Sequence, residues 1–201
     1  MSSVRKLFRV DILIASLVLL SLSGCGINNI PTYYQKVQAS WSQVQNEYQR
    51  RADLIPNLVA TVKGYAKHEA DVLEAVTKAR AKVTQTKIPA NILTNPKAFH
   101  QFEQNQATLS GALSRLMMVT ENYPNLKADQ NFLTLQSQLE GTENRIAVAR
   151  RDYILAVQQY NTELTTIPGR WYRSMFYSDK KPMQNFTATA KNAAQPPKVK
   201  F

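Results

Sequence analysis

Cysteine, histidine and glycine are scarce in this sequence. A single thiol, Cys25, excludes an internal disulfide framework and any cysteine-based zinc site. With two histidines there is little for a metal. A carboxylate-bridged metal pair inside a helical bundle needs Glu-x-x-His on two helices. Here Tyr65 stands three residues before His68, and Lys97 three before His100. No His-Glu-x-x-His, Gly-x-Ser-x-Gly or glycine-rich phosphate loop occurs, and Gly64 stands alone in a helical pattern. Acidic residues are outnumbered, 14 against 25 lysines and arginines, which leaves a net charge of +11. An excess of that size points to an anionic partner, either nucleic acid or a membrane surface. No catalytic residue, metal, cofactor or small-molecule substrate is expected.

The first residues choose between those partners. Arg5, Lys6 and Arg9 precede an apolar stretch from Ile12 to Leu22, followed by Ser23 and Gly24. That is the layout of a secretory signal, and the stretch is about half the roughly 20 residues a spanning helix needs. Cys25 stands directly after Leu22-Ser23-Gly24, which resembles the bacterial lipobox, whose cysteine is lipidated and becomes the new N-terminus. Residues 1–24 are therefore expected to be a lipoprotein signal peptide, and 25–28 a lipidated N-terminus with a short linker. The alternative is an uncleaved anchor carrying an incidental thiol. Acyl chains hold through about 0.8 kcal/mol per buried methylene. Export argues against nucleic acid and favours an anionic lipid surface or cell-wall polymer.

What the sequence does have is helical periodicity. Tyr34, Val37, Trp41, Val44 and Tyr48 step by three and four behind Asn29, a capping residue. Arg50 and Arg51 then suit a last turn, and Asp53 can cap a second helix whose first turn holds Pro56. Leu58, Val62, Tyr65, Glu69, Val72, Val76, Ala79 and Val83 continue that seam. The reading is a tight corner at residues 50–56 between two antiparallel helices. Residues 84–95 form a loop, and Asn95-Pro96 starts a third helix with Phe99, Phe102, Gln106, Leu109, Leu113, Leu116 and Thr120 on its seam. Tyr123-Pro124 closes it, and Asp129 caps a fourth helix running from Phe132 to about Glu163. The fold class is all-α: an antiparallel up-and-down four-helix bundle with long helices over residues 29–166.

Two groups of residues stand out from this pattern. Glu69, Gln106 and Thr142 occupy seam positions. They form a buried polar layer that fixes register, or hold a ligand, or lie half exposed where the seam drifts. Tyr34, Tyr48, Tyr65, Tyr153 and Tyr160 read as core residues with a hydroxyl at the edge. The segment 167–177, IPGRWYRSMFY, puts Arg170, Trp171, Tyr172, Arg173, Phe176 and Tyr177 together. It is a second membrane contact, with rings at headgroup depth and cations on an anionic surface, or a lid on the open end of the bundle. Residues 178–201 are lysine-dotted and poor in apolar side chains, and are expected to be a disordered basic tail.

WSQVQNEYQRRADLIPNLVATVKGYAKHE (41–69), LEAVTKARAKV (73–83), YPNLKADQNFLTLQSQLEGTENRIAVARRDY (123–153) and YNTEL (160–164) resemble the characteristic blocks of the LemA family. The similarity covers about residues 30–177. It implies a four-helix bundle tied to the bacterial envelope by an N-terminal membrane segment, and brings no catalytic or cofactor residue with it. Cys25 departs from the long membrane helix of many members, and the basic tail from the acidic one expected. The functional expectation is a non-enzymatic, membrane-anchored envelope scaffold or adaptor, facing the periplasm or cell exterior and binding other envelope proteins. The alternative is a small-ligand or lipid-binding bundle at the membrane surface, with Glu69 and the tyrosines lining a cavity.

Overall fold

The computed structural model describes residues 26–187. The signal-like residues 1–24, Cys25 and residues 188–201 of the expected tail lie outside that part. The described chain is all-helical: α1 (Asn29–Tyr65), α2 (Ala70–Gln85), a 3-10 turn (Ile92–Thr94), α3 (Pro96–Thr120), the single turn α4 (Pro124–Lys127), α5 (Gln130–Thr165) and α6 (Gly169–Phe176). Among the described residues no helix is long and apolar enough to cross a membrane.

Two long antiparallel helices, α1 and α5, form the backbone of the fold. Their register can be followed from one end to the other. Lys36 Nζ donates to Gln159 Oε1 at 3.0 Å, Arg51 meets Glu143 at 3.0 Å, and the Tyr65 hydroxyl donates to Asp129 Oδ2 at 2.8 Å. The shorter pair α2 and α3 packs together, with α2 also lying on α1. Two helix starts fall where capping chemistry requires. Asn95 Oδ1 accepts from the Ala98 amide at 3.2 Å ahead of Pro96, and Asp129 Oδ1 accepts from the Phe132 amide at 2.9 Å. That amide and the Tyr65 hydroxyl hold the Asp129 carboxyl below its ordinary pKa.

The corner expected at residues 50–56 is absent, because α1 runs straight through Pro56. A proline inside a helix removes the donor that would bond the carbonyl four residues earlier. Here that carbonyl belongs to Ala52, and Arg80 Nε of α2 donates to it at 2.8 Å. The proline is tolerated because another helix replaces the bond it removes. The break comes instead at Ala66–Glu69, where the chain turns between α1 and α2. The second seam is thus split between two helices, and Tyr65 is exposed rather than in the core.

The buried apolar residues form two clusters. One joins Val37, Trp41 and Val44 of α1 to Phe99 and Phe102 of α3 and Tyr153, Val157 and Tyr160 of α5. The other joins Ile55, Leu58 and Val62 of α1 to Val76 of α2, Leu109 and Leu116 of α3, Leu126, and Phe132 of α5. Burying each such side chain contributes about 1.5–3 kcal/mol. The first cluster is completed from an unexpected source. Residues 178–187, read from the sequence as the start of a disordered tail, fold back as an extended strap and bury Met183 and Phe186. Phe186 packs among Trp41, Phe99 and Tyr153 in tilted and edge-to-face arrangements, with ring centroids 6.4, 5.1 and 5.4 Å away.

The strap has few apolar residues, but its backbone groups are matched by side chains of the helices. Asn161 bonds both the amide and the carbonyl of Met183 at 2.9 Å. The Tyr153 hydroxyl donates to the Gln184 carbonyl at 2.7 Å, and the Thr187 amide donates to Glu103 Oε1 at 3.2 Å. An otherwise polar segment can be ordered this way, since its buried backbone groups keep partners.

Candidate functional site

Between the two apolar clusters lies a belt of polar side chains. Arg51 of α1 is 1% exposed. Its guanidinium donates to Gln106 Oε1 at 2.6 Å, Ser110 Oγ at 2.8 Å and Glu143 Oε1 at 3.0 Å. One turn earlier, Glu47 accepts from Arg145 Nε at 3.0 Å and from Gln43 at 3.2 Å. Arg145 Nη2 also donates to Thr142 Oγ1 at 2.7 Å, and that hydroxyl donates back to the Gln138 carbonyl. The belt ties α1 to α3 and α5 with charge-assisted bonds.

Of the three residues expected in such a layer, Gln106 and Thr142 are buried in it, on separate arms of the belt. Glu69 is not part of it. It lies at the α1–α2 break, where the tight turn lifts it off the seam, and its Oε1 accepts from the Tyr123 hydroxyl at 3.1 Å. The central residue, Arg51, escaped the sequence reading because the expected corner placed it in a last turn. Its signal was nevertheless present: Val37, Val44, Arg51 and Leu58 recur every seven residues, and all four are buried. A continuous α1 would have put Arg51 on the seam.

Tyr34, Tyr48, Tyr153 and Tyr160 belong to or pack against the first apolar cluster. Burial raises the pKa of the Tyr153 phenol, and the nearby Glu103 adds to that. Burial pushes Tyr160 up to about 12, with Tyr34 contributing, and its hydroxyl is buried without a partner among the described residues. Among the described residues no group of three or more His, Cys, Asp or Glu could hold a metal ion.

The second candidate surface is at the end of the molecule where α1 begins. A Cβ placed on Gly26, the first described residue, would lie 3.1 Å from the Tyr172 ring and 3.7 Å from Pro168. This puts the start of the described chain directly against α6. The tight turn into α6 depends on Gly169, where a Cβ would fall 2.1 Å from the Glu163 carbonyl oxygen. Six residues of this segment were singled out from the sequence, and α6 divides them. Arg170, Trp171 and Phe176 are exposed, Trp171 by 57%. Tyr172, Arg173 and Tyr177 are half-buried: the two tyrosines pack against the first cluster, and Arg173 Nε donates to the Lys180 carbonyl at 3.0 Å. Ile167 and Met175, exposed by 64% and 72%, extend the outward ridge.

Residues 40–201 match the model of the LemA family. The chain is 22% identical to Protein LemA of Metamycoplasma hominis over 139 residues, covering 69% of this chain and 59% of that protein. It is also 40% identical over 57 residues to Magnetosome protein MamQ 1 and to Magnetosome protein MamQ 2 of Paramagnetospirillum magneticum, which covers 28% of this chain. The matched part is only 21% of either magnetosome protein. With the family model spanning well over half of its length, the chain belongs to the LemA family.

Proposed function

We propose that this protein is a non-enzymatic scaffold of the bacterial envelope, an up-and-down four-helix bundle held at the membrane by lipid on Cys25 after residues 1–24 are removed. The observation that carries the reading is the placement of Gly26. The residue next to the lipobox-like cysteine lies against α6, whose outer side presents Trp171, Met175 and Phe176 beside Arg170, with exposed Ile167 just ahead of the helix. Anchor and apolar ridge therefore share one end of the molecule. Aromatic rings suit the headgroup zone, and each nearby cation adds about 1 kcal/mol against an anionic surface. Tyr172 and Tyr177 close the bundle end while the outward ridge meets lipid, so the segment serves as lid and contact at once. The remaining surface is then available to another envelope protein, in keeping with the membership of the LemA family.

The test is metabolic labelling with a fatty acid in a bacterial host. The wild-type chain is expected to take up label and to run as the shorter mature form. Cys25→Ala should accumulate as unlabelled precursor. In a second arm, the chain from residue 26 onward should bind anionic vesicles weakly, lose that binding at high salt, and lose it again when Trp171 and Phe176 become serine. A wild-type chain without lipid label overturns the anchor. Vesicle binding indifferent to those two serines overturns the contact.

A further inference from the structure

A loop leads from the end of α2 at Gln85 to the 3-10 turn at Ile92–Thr94. Between that loop and α3 lies a hollow of about 160 Å³, walled by Val83, Ile88, Pro89, Ile92 and Phe102. An apolar cavity of about 150 Å³ is large enough for a benzene ring. A second space of about 280 Å³ adjoins it, sharing Val83, Ile88, Phe102 and Gln106, and reaches Gln45 and Asn46 of α1. Ile88 is 41% exposed, so the rim offers apolar surface to whatever enters.

The buried polar groups of the hollow are carboxamides. Asn105 and Gln106 line it and are 4% and 5% exposed. The oxygen of each is already taken. Gln106 Oε1 accepts from Arg51 Nη2 at 2.6 Å, and a guanidinium can only donate, which settles the orientation of that amide. Asn105 Oδ1 accepts from Gln101 Nε2 at 2.9 Å. Asn105 Nδ2 and Gln106 Nε2 are left with no acceptor among the described residues. Neither is sealed in the protein, as Arg51 Nε is, so both donors open onto accessible space. Among the described residues no aspartate or glutamate lines either space, and the one charged group, Lys87, is exposed. An anionic acceptor held by two neutral amides would lose hydration without gaining a buried counter-charge. A neutral carbonyl suits them better.

We infer that this hollow binds a neutral amide, an N-acylated residue with an aromatic or branched side chain. The side chain fills the apolar hollow, and the carbonyl oxygen accepts from Asn105 Nδ2 and Gln106 Nε2. The rest of the amide runs toward Gln45 and Asn46, whose carboxamides offer donors and acceptors alike. The site is independent of the lipid anchor and of the ridge on α6.

Methyl nuclear magnetic resonance of the full chain in lipid nanodiscs, labelled at isoleucine, tests this with N-acetylphenylalanine amide as the probe. Ile88 and Ile92 should shift saturably, with a Kd of about 1 mM for so small a ligand. Ile55 and Ile146, in the two apolar clusters, should stay still and report that each variant is folded. Asn105→Leu and Gln106→Glu each remove one donor nitrogen, and the second keeps an oxygen for Arg51. Either should weaken binding about three- to ten-fold, the worth of one neutral hydrogen bond. Ala98→Leu, which puts its side chain into the hollow, should abolish binding. The anionic N-acetylphenylalanine should bind more weakly than the amide. No saturable shift at Ile88 or Ile92, or binding that survives Ala98→Leu, overturns the proposal. So does an affinity that Asn105→Leu and Gln106→Glu leave unchanged, or an anion that binds as tightly as the amide.

Discussion

A guanidinium sealed inside a protein loses several kcal/mol of hydration, which only well-placed acceptors offset. Arg51 meets that demand with Gln106, Ser110 and Glu143, while its Nε is left without a partner. Glu143 keeps contact with water, so losing the arginine does not strand a buried carboxylate. The cost of truncation is therefore expected to fall below that of a fully buried pair. Arg51→Ala should lower unfolding free energy by about 2–3 kcal/mol in urea titrations, through an orphaned Gln106 and a void. Arg51→Lys should cost about 1–2 kcal/mol, because an ammonium cannot reproduce the fork that spans three acceptors. Arg51→Met, which refills the space, should be milder than alanine. A lysine variant as stable as the wild type would show that the charge alone matters, and not the geometry of the belt.

At the scale of elements, Pro56 and Arg80 act as a pair. The proline frees the Ala52 carbonyl, and the arginine of α2 occupies it. Arg80→Ala should cost about 1–3 kcal/mol, since it leaves a poorly solvated carbonyl unmatched. In a Pro56→Ala background the helix supplies its own donor, and the same change should cost less than about 0.5 kcal/mol. Equal costs in both backgrounds, read from a double-mutant cycle of urea midpoints, would mean that the two residues are not coupled. This pair also shows what was legible in the sequence. The seams were readable, as were the caps at Asn95 and Asp129, because they rest on local chemistry. The continuity of α1 was not, since it depends on an arginine 28 residues further on finding one carbonyl. The strap was illegible for a related reason. Met183 and Phe186 are two apolar residues in a polar stretch without period, and three other segments build the pocket that receives them. Arg51 lay between these cases, with its heptad spacing visible and its environment hidden by the misplaced corner.

For the molecule as a whole, the strap makes the aromatic cluster depend on the far end of the chain. Phe186→Ala should lower unfolding free energy by about 2–4 kcal/mol, toward the lower part of the range for a buried phenylalanine because one side of the ring is near solvent. Trp41 reports the same event. It is 4% exposed, whereas the other tryptophan, Trp171, is 57% exposed. In a Trp171→Phe background, Phe186→Ala should therefore shift the emission of Trp41 to the red, and an unshifted spectrum would mean that the cluster closes without the strap. The unbroken course of α1 has a different kind of consequence. Its 37 residues measure about 55 Å from end to end. A corner at Pro56 would have ended that run about 42 Å from Asn29. As built, the helix is a stand-off. If its first turn sits at the lipid surface, the loop at Lys67–His68 is carried some 5 nm from the bilayer, and only a partner of matching height can touch it.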